Sequence, residues 1–204
     1  MKSQRTDQAS QTWFQSANCD SRYGAALLGV LALMLSVMAT GERGRDALGY
    51  ERDALSHFQW WRLFSAHLVH LNWQHALLNC AGLVVLWALF AREFRPGRWL
   101  WIVSLAALCI DLGLWYRYPA VQWYLGASGV LHGVWAAGAY AVWRRGDAMG
   151  IALMALLIIK LSYEQYAGQS IFIGTIPVVT AAHWLGALGG LAAALMPPRA
   201  AKSL

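Results

Sequence analysis

Five polar residues, His75, Asn79, Ser128, His132 and His183, stand inside or at the edge of apolar stretches of the sequence. Polar and ionisable side chains are costly in such surroundings and mark functional positions by default. His75 and Asn79 are spaced i,i+4, as are Ser128 and His132, so on helices each pair shares a face. The chemistry these types offer is nucleophilic catalysis. A serine hydroxyl attacks once a base takes its proton, and His183 is the candidate base. Attack on a carbonyl builds an oxyanion that needs fixed donors. The side chains of His75 and Asn79 are two candidates, and the backbone N–H of Ser128, at a helix start, is a third. Gly126-Ala-Ser-Gly129 gives a pliable entry to the serine. No acidic residue is obviously placed to orient the base, so the residues point to a Ser–His dyad rather than a triad.

For these groups to meet, their carriers must place them at one depth. The chain has 204 residues, 58% hydrophobic and 13% charged, with 12 Trp. A soluble domain is about one quarter charged. The charge deficit excludes an ordinary soluble enzyme. The net charge of +6 is scattered in short clusters, which excludes a nucleic-acid track. Six apolar runs, 24–40, 75–91, 98–116, 127–143, 148–163 and 178–196, are read as helices, because open strands cannot satisfy their backbones in lipid. The expected fold is an all-α integral membrane protein, a six-transmembrane-helix bundle over 24–196. A cytoplasmic tail, 1–23, precedes it and another, 197–204, follows. Lys2, Arg5, Arg22, Arg92, Arg95, Arg98, Arg144, Arg145, Arg199 and Lys202 fall on one side of such a bundle. The positive-inside rule makes that side the cytoplasm. The basic residues of the outer loops are balanced by acids, Glu164 among them. The second, fourth and sixth helices then all run inward, with His75, Asn79, Ser128, His132 and His183 near their outer ends. Gly129, Gly133 and Ala137 make one small-residue stripe, and Gly186 and Gly190 another. Such stripes let membrane helices approach closely, which brings His183 within reach of Ser128.

The remaining groups have plainer readings. The long outer loop 41–74 ends in an aromatic stretch, 57–73, expected to lie in the outer interface with Trp and Phe down and Arg and His up. Trp61 and Arg62 read as an anchor, with the guanidinium bonding lipid phosphate or loop carbonyls. His67, His70 and His75 suit no standard metal site by spacing, and no metal or other cofactor is expected. Asp111 in the third run and Lys160 in the fifth are expected to pair. Cys19, Cys80 and Cys109 suggest neither a disulfide frame nor a zinc ribbon. By position alone, 57–73 and the fifth helix are candidate sides of a lateral gate.

In these residues the chain resembles the rhomboid intramembrane serine proteases, over about residues 60–196. The resemblance rests on Trp61-Arg62, on His70, His75 and Asn79, on Gly126-Ala-Ser-Gly129, and on His183-x-x-Gly186-x-x-x-Gly190. It implies Ser128 as nucleophile and His183 as base and acid. His75, Asn79 and the Ser128 N–H form the implied oxyanion hole. The implied reaction is cleavage of a single-span substrate near its outer membrane boundary. The block Ala66-His-Leu-Val-His-Leu-Asn-Trp-Gln-His75 looks most like the rhombosortase branch. That branch implies substrates with a C-terminal Gly-Gly motif, one span and a basic tail, in a bacterial inner membrane with the site on the periplasmic side. His132 departs from the family, which often has a tyrosine there that stacks on the catalytic histidine; an imidazole can stack too. Two other classes are weighed against the protease. A catalytically inactive, client-binding relative would be expected to lack Ser128 or His183, and a transporter would need a polar line through the inner halves of the spans.

Overall fold

The computed structural model describes residues 23–168 and 179–196. The tail calls 1–23 and 197–204 lie outside these residues, Tyr23 excepted, as does the first residue of the sixth run. Helix α1 spans Gly24–Ala39, and α2, Gly41–Leu48, turns from it by 107°. A strand β1 (Tyr50–Glu51) and short helices α3 (Arg52–Ser56) and α4 (Arg62–Ser65) follow, then a 3₁₀ turn, Ala66–Leu68. The longer helices come next: α5 (Trp73–Phe90) and α6 (Pro96–Leu112), the latter continued by a wider π turn, Gly113–Arg117. Strand β2 (Trp123–Tyr124) precedes α7 (Ser128–Arg144), α8 (Met149–Ala167) and α9 (Thr180–Leu195). The six apolar runs thus coincide with α1 and α5 to α9. By length and hydropathy, Trp73–Phe90 and Pro96–Arg117 each suffice to cross a membrane, and the bent pair α1–α2 does so when taken together. The protein is a mostly helical integral membrane protein.

Local sequence explains where the elements start. Asn72 caps α5, its side chain accepting the His75 N–H at 2.8 Å, which fixes His75 in the first turn. Pro96 occupies the first position of α6, where its missing N–H costs nothing. Gly168, at φ 66°, ends α8 in the left-handed conformation a glycine adopts freely.

At the centre stands α7, in contact with α5, α6, α8 and α9. Its stripe faces that of α9 with backbone against backbone. A Cβ on Gly186 would overlap the Gly129 carbonyl, and one on Gly190 the Gly133 carbonyl. One on Gly129 would come within 2.9 Å of the Ala182 oxygen, and one on Gly133 within 2.6 Å of the Gly186 oxygen. The small residues interlock as their spacing suggests.

Two expectations are corrected. The stretch 57–73 is not one amphipathic segment but short helices folded around a core. Phe58, Trp60, Trp61 and Phe64 are exposed as expected, whereas Arg62, His67 and His70 are buried beneath them. Arg62 finds its partners inward: it donates to the Gly49 carbonyl at 2.7 Å and to Gln59 Oε1 at 2.8 Å. Loop carbonyls, the second of the two partners foreseen for this arginine, are thus its ligands, and Trp61 donates its indole N–H to the Ala47 carbonyl at 3.0 Å. The fifth helix runs to Ala167, past the apolar run that ends at 163, so Glu164 lies in its last turn and not in a loop.

The interlock sets the first prediction. Gly186→Ala should lower stability by about 1–3 kcal/mol, the usual cost of overpacking, read as a lower thermal midpoint in detergent micelles. Gly97→Ala, in open space at the start of α6, should leave it unchanged. Equal midpoints for the two variants would refute the close approach.

Candidate active site

Each expected group is brought to the N-terminal ends of α5, α7 and α9 by the elements that start there. Gly126 holds φ 123°, and a Cβ there would come within 2.8 Å of the His75 ring. Only glycine tolerates both constraints. Its turn places Ser128 as the first residue of α7, where backbone N–H groups have no partner within the helix. Ser128 Oγ lies 2.9 Å from His183 Nε2. His75 borders a cavity of about 20 Å³ with Ser128 and His183, and Asn79 borders a second, larger one with the same two residues. The Asn79 amide also donates to the His75 carbonyl at 3.0 Å.

The expectation of a dyad without an acid is overturned by Glu164. Its Oε2 lies 2.8 Å from His183 Nδ1, and the residue is 1% exposed. Its Oε1 accepts from Lys160 Nζ at 2.6 Å. The expected Lys160–Asp111 pair is therefore absent. Asp111 Oδ1 instead faces His67 Nε2 at 3.4 Å, which gives His67 a place in the fold. The missed signal was present in the sequence: Lys160 and Glu164 stand i,i+4 on the fifth helix, the spacing of a same-face ion pair.

His132 lies parallel to His183, ring centroids 4.2 Å apart and planes inclined by 19°, so the imidazole does stack. Its Nδ1 is 2.6 Å from the Ser128 carbonyl and its Nε2 is 2.9 Å from Lys160 Nζ. Ligand atoms of His132, Glu164 and His183 lie within 4.8 Å of one another, a spread that suits a metal ion. The Lys160 ammonium already stands among them as the positive charge.

Other expected residues lie further out. His70 backs His75 edge-on, ring centroids 5.1 Å apart. Trp61 and Arg62 brace the loop between α1 and α5 through Ala47 and Gly49, and Gly186 and Gly190 act through the helix contact. The larger cavity, about 380 Å³, is mostly apolar and is walled by α5, α7 and Lys160 of α8. Of the two stretches weighed as sides of a gate, the fifth helix borders this cavity through Lys160, and no residue of 57–73 lines it.

The geometry chemically permits a serine activated by a histidine that a carboxylate orients. Residues 57–199 match the Rhomboid domain family, and the chain belongs to the rhomboid family. Among known proteins it is similar to “Putative rhomboid protease YdcA” of Bacillus subtilis (strain 168). The two are 24% identical over 139 residues, which cover 68% of this chain and 70% of that protein.

His70 sets a pH prediction. Burial, then the neighbouring His75, push its imidazole down from 6.5 to about 4. Between those values the unfolded chain binds a proton that the folded protein refuses. Stability therefore falls as pH drops through that window. In His70→Asn, which cannot take up the proton, the thermal midpoint should depend less on pH between 6.5 and 4. An unchanged slope would assign the acid sensitivity elsewhere.

Proposed function

We propose that this rhomboid-family protein is an intramembrane serine protease that cleaves single-span membrane proteins near their outer membrane boundary. The observation that carries the reading is the Ser128–His183 contact at 2.9 Å, backed by Glu164 at 2.8 Å on the other ring nitrogen. The proton of Ser128 Oγ passes to His183 Nε2 as Oγ bonds the scissile carbonyl carbon. His75, Asn79 and the Ser128 N–H receive the charge that develops on the carbonyl oxygen. The imidazolium then protonates the leaving amine, the C–N bond breaks, and an ester remains on Ser128. Water activated by His183 releases a carboxylate; an amine in its place gives a transfer product. Glu164 holds the imidazole in the tautomer that accepts the serine proton and stabilises the imidazolium.

The same reading gives the bundle six spans, with both termini in the cytoplasm. The site opens to the periplasmic side of a bacterial inner membrane, and the outer loop rests in the interface. A substrate span reaches Ser128 through the apolar cavity beside α5. For the branch, the Ala66–His75 block supports a rhombosortase, and with it substrates bearing a C-terminal Gly-Gly motif, a span and a basic tail. The cavity of about 20 Å³ beside Ser128, lined by His75, Trp123 and His183, favours residues without side chains, as glycines are. No cofactor is needed.

Fluorophosphonate labelling in native-like membranes tests the reading. Wild type should label, while Ser128→Ala and His183→Ala should not. Glu164→Gln should label more slowly by roughly a hundredfold or more, as expected where an orienting acid is lost. A folded wild type that takes no label would overturn the protease reading. Mass spectrometry of the product's new C-terminus then separates hydrolysis from transfer.

A further inference from the structure

The hydrogen bonds around His183 have directions that the chemistry of the groups fixes. A carbonyl oxygen only accepts, so His132 Nδ1, 2.6 Å from the Ser128 carbonyl, carries its proton. An ammonium only donates, so His132 Nε2 is bare and accepts from Lys160 at 2.9 Å. Lys160 also donates to Glu164 Oε1 at 2.6 Å. Glu164 Oε2 accepts from His183 Nδ1, which leaves His183 Nε2 to accept from Ser128 Oγ. The five residues close a ring that starts and ends on Ser128, once at its hydroxyl and once at its own carbonyl. In that ring each contact pairs a donor with an acceptor.

We infer that Lys160 is a positioning residue for the reaction: it joins the two supports of His183, the carboxylate at its edge and the imidazole on its face. Each support alone leaves a freedom. A carboxylate bond lets the His183 ring rock about its own plane. A stack lets one ring slide over the other. With Lys160 on one nitrogen of His132 and the Ser128 carbonyl on the other, the stacked ring is pinned at both ends. The tautomer of His132 is fixed as well. Charge argues the same way. A lysine and a glutamate with side chains 11% and 1% exposed, inside an apolar bundle, are tolerable only as a bonded pair. That pair is built around the histidine and not elsewhere on α8. Lys160 touches neither Ser128 Oγ nor His183 by hydrogen bond, so its effect passes through His132 and Glu164.

This inference rests on the protease reading, and one set of measurements separates the two. Fluorophosphonate inactivation is followed in wild type, Lys160→Met, His132→Phe and the double variant. The limiting rate is resolved from the half-saturating probe concentration. Lys160→Met should lower the limiting rate about tenfold to a hundredfold, the scale of a misplaced catalytic group, with half-saturation unchanged within about twofold. The double variant should be no slower than the slower single variant, because both remove the same support. Nitrogen-15 NMR of histidine-labelled wild type, with His132 identified by its loss in His132→Phe, should show protonated Nδ1 and bare Nε2. That measurement stands even if Lys160→Met does not fold. A Lys160→Met rate equal to wild type, multiplicative losses in the double variant, or a proton on His132 Nε2 would each overturn the inference while leaving the protease intact. A folded wild type that takes no label overturns both.

Discussion

The separation of Ser128 and His183 depends on how closely the backbones of α7 and α9 approach. A single methyl at Gly186 or Gly190 would strike a carbonyl of the facing helix. Burying apolar side chains against one another does little to drive association in lipid, so van der Waals contact between small residues must hold such a pair. The interlock carries a directional benefit. Gly129 lies next to Ser128, and Gly186 follows His183 by one turn, so the residues that bring the helices together are the neighbours of those that must meet. A helix pair held by bulky side chains would sit further apart and leave the hydroxyl beyond hydrogen-bond range of the imidazole.

Charge imposes the second constraint. Lys160 and Glu164 would each be prohibitive alone in this bundle, and paired they still require satisfied donors and acceptors. The site meets part of that need with the two histidines: Lys160 also donates to His132, and Glu164 also accepts from His183. Where an aromatic ring in this position offers only a face, His132 offers a face and two directional nitrogens. The polar cluster is therefore coherent as a unit and hard to subdivide.

Much of the fold was legible in the sequence because it follows from the length of apolar runs and from small-residue spacing. The same spacing placed His183 opposite Ser128. Glu164 was not legible as a site residue because hydropathy ends the fifth run before it. A charged residue at a helix end reads as solvated until its partner is known. The Asp111–Lys160 pairing fails because sequence gives depth along a span but not the direction a side chain faces around it. Asp111 turns to His67, and Lys160 turns to His132 and Glu164. The inward burial of Arg62, His67 and His70 is hidden from the sequence for a related reason. An amphipathic stretch with both aromatic and basic residues fits an interface well, and only the fold shows which face meets protein.

The loop between α1 and α5 and the turn bearing the serine are stitched together at several points. Tyr50 and Glu51 pair with Tyr124 and Trp123 as neighbouring strands. The Gly126 N–H donates to the Ala66 carbonyl at 2.9 Å, and the Tyr124 hydroxyl to the Gly126 carbonyl at 2.8 Å. Arg52 grips the Leu114 and Trp115 carbonyls at 3.1 and 2.6 Å. Such a roof cannot be lifted like a lid without dragging the turn from beneath it. The roof and the turn that bears the serine are thus one piece, a keystone rather than a hinge.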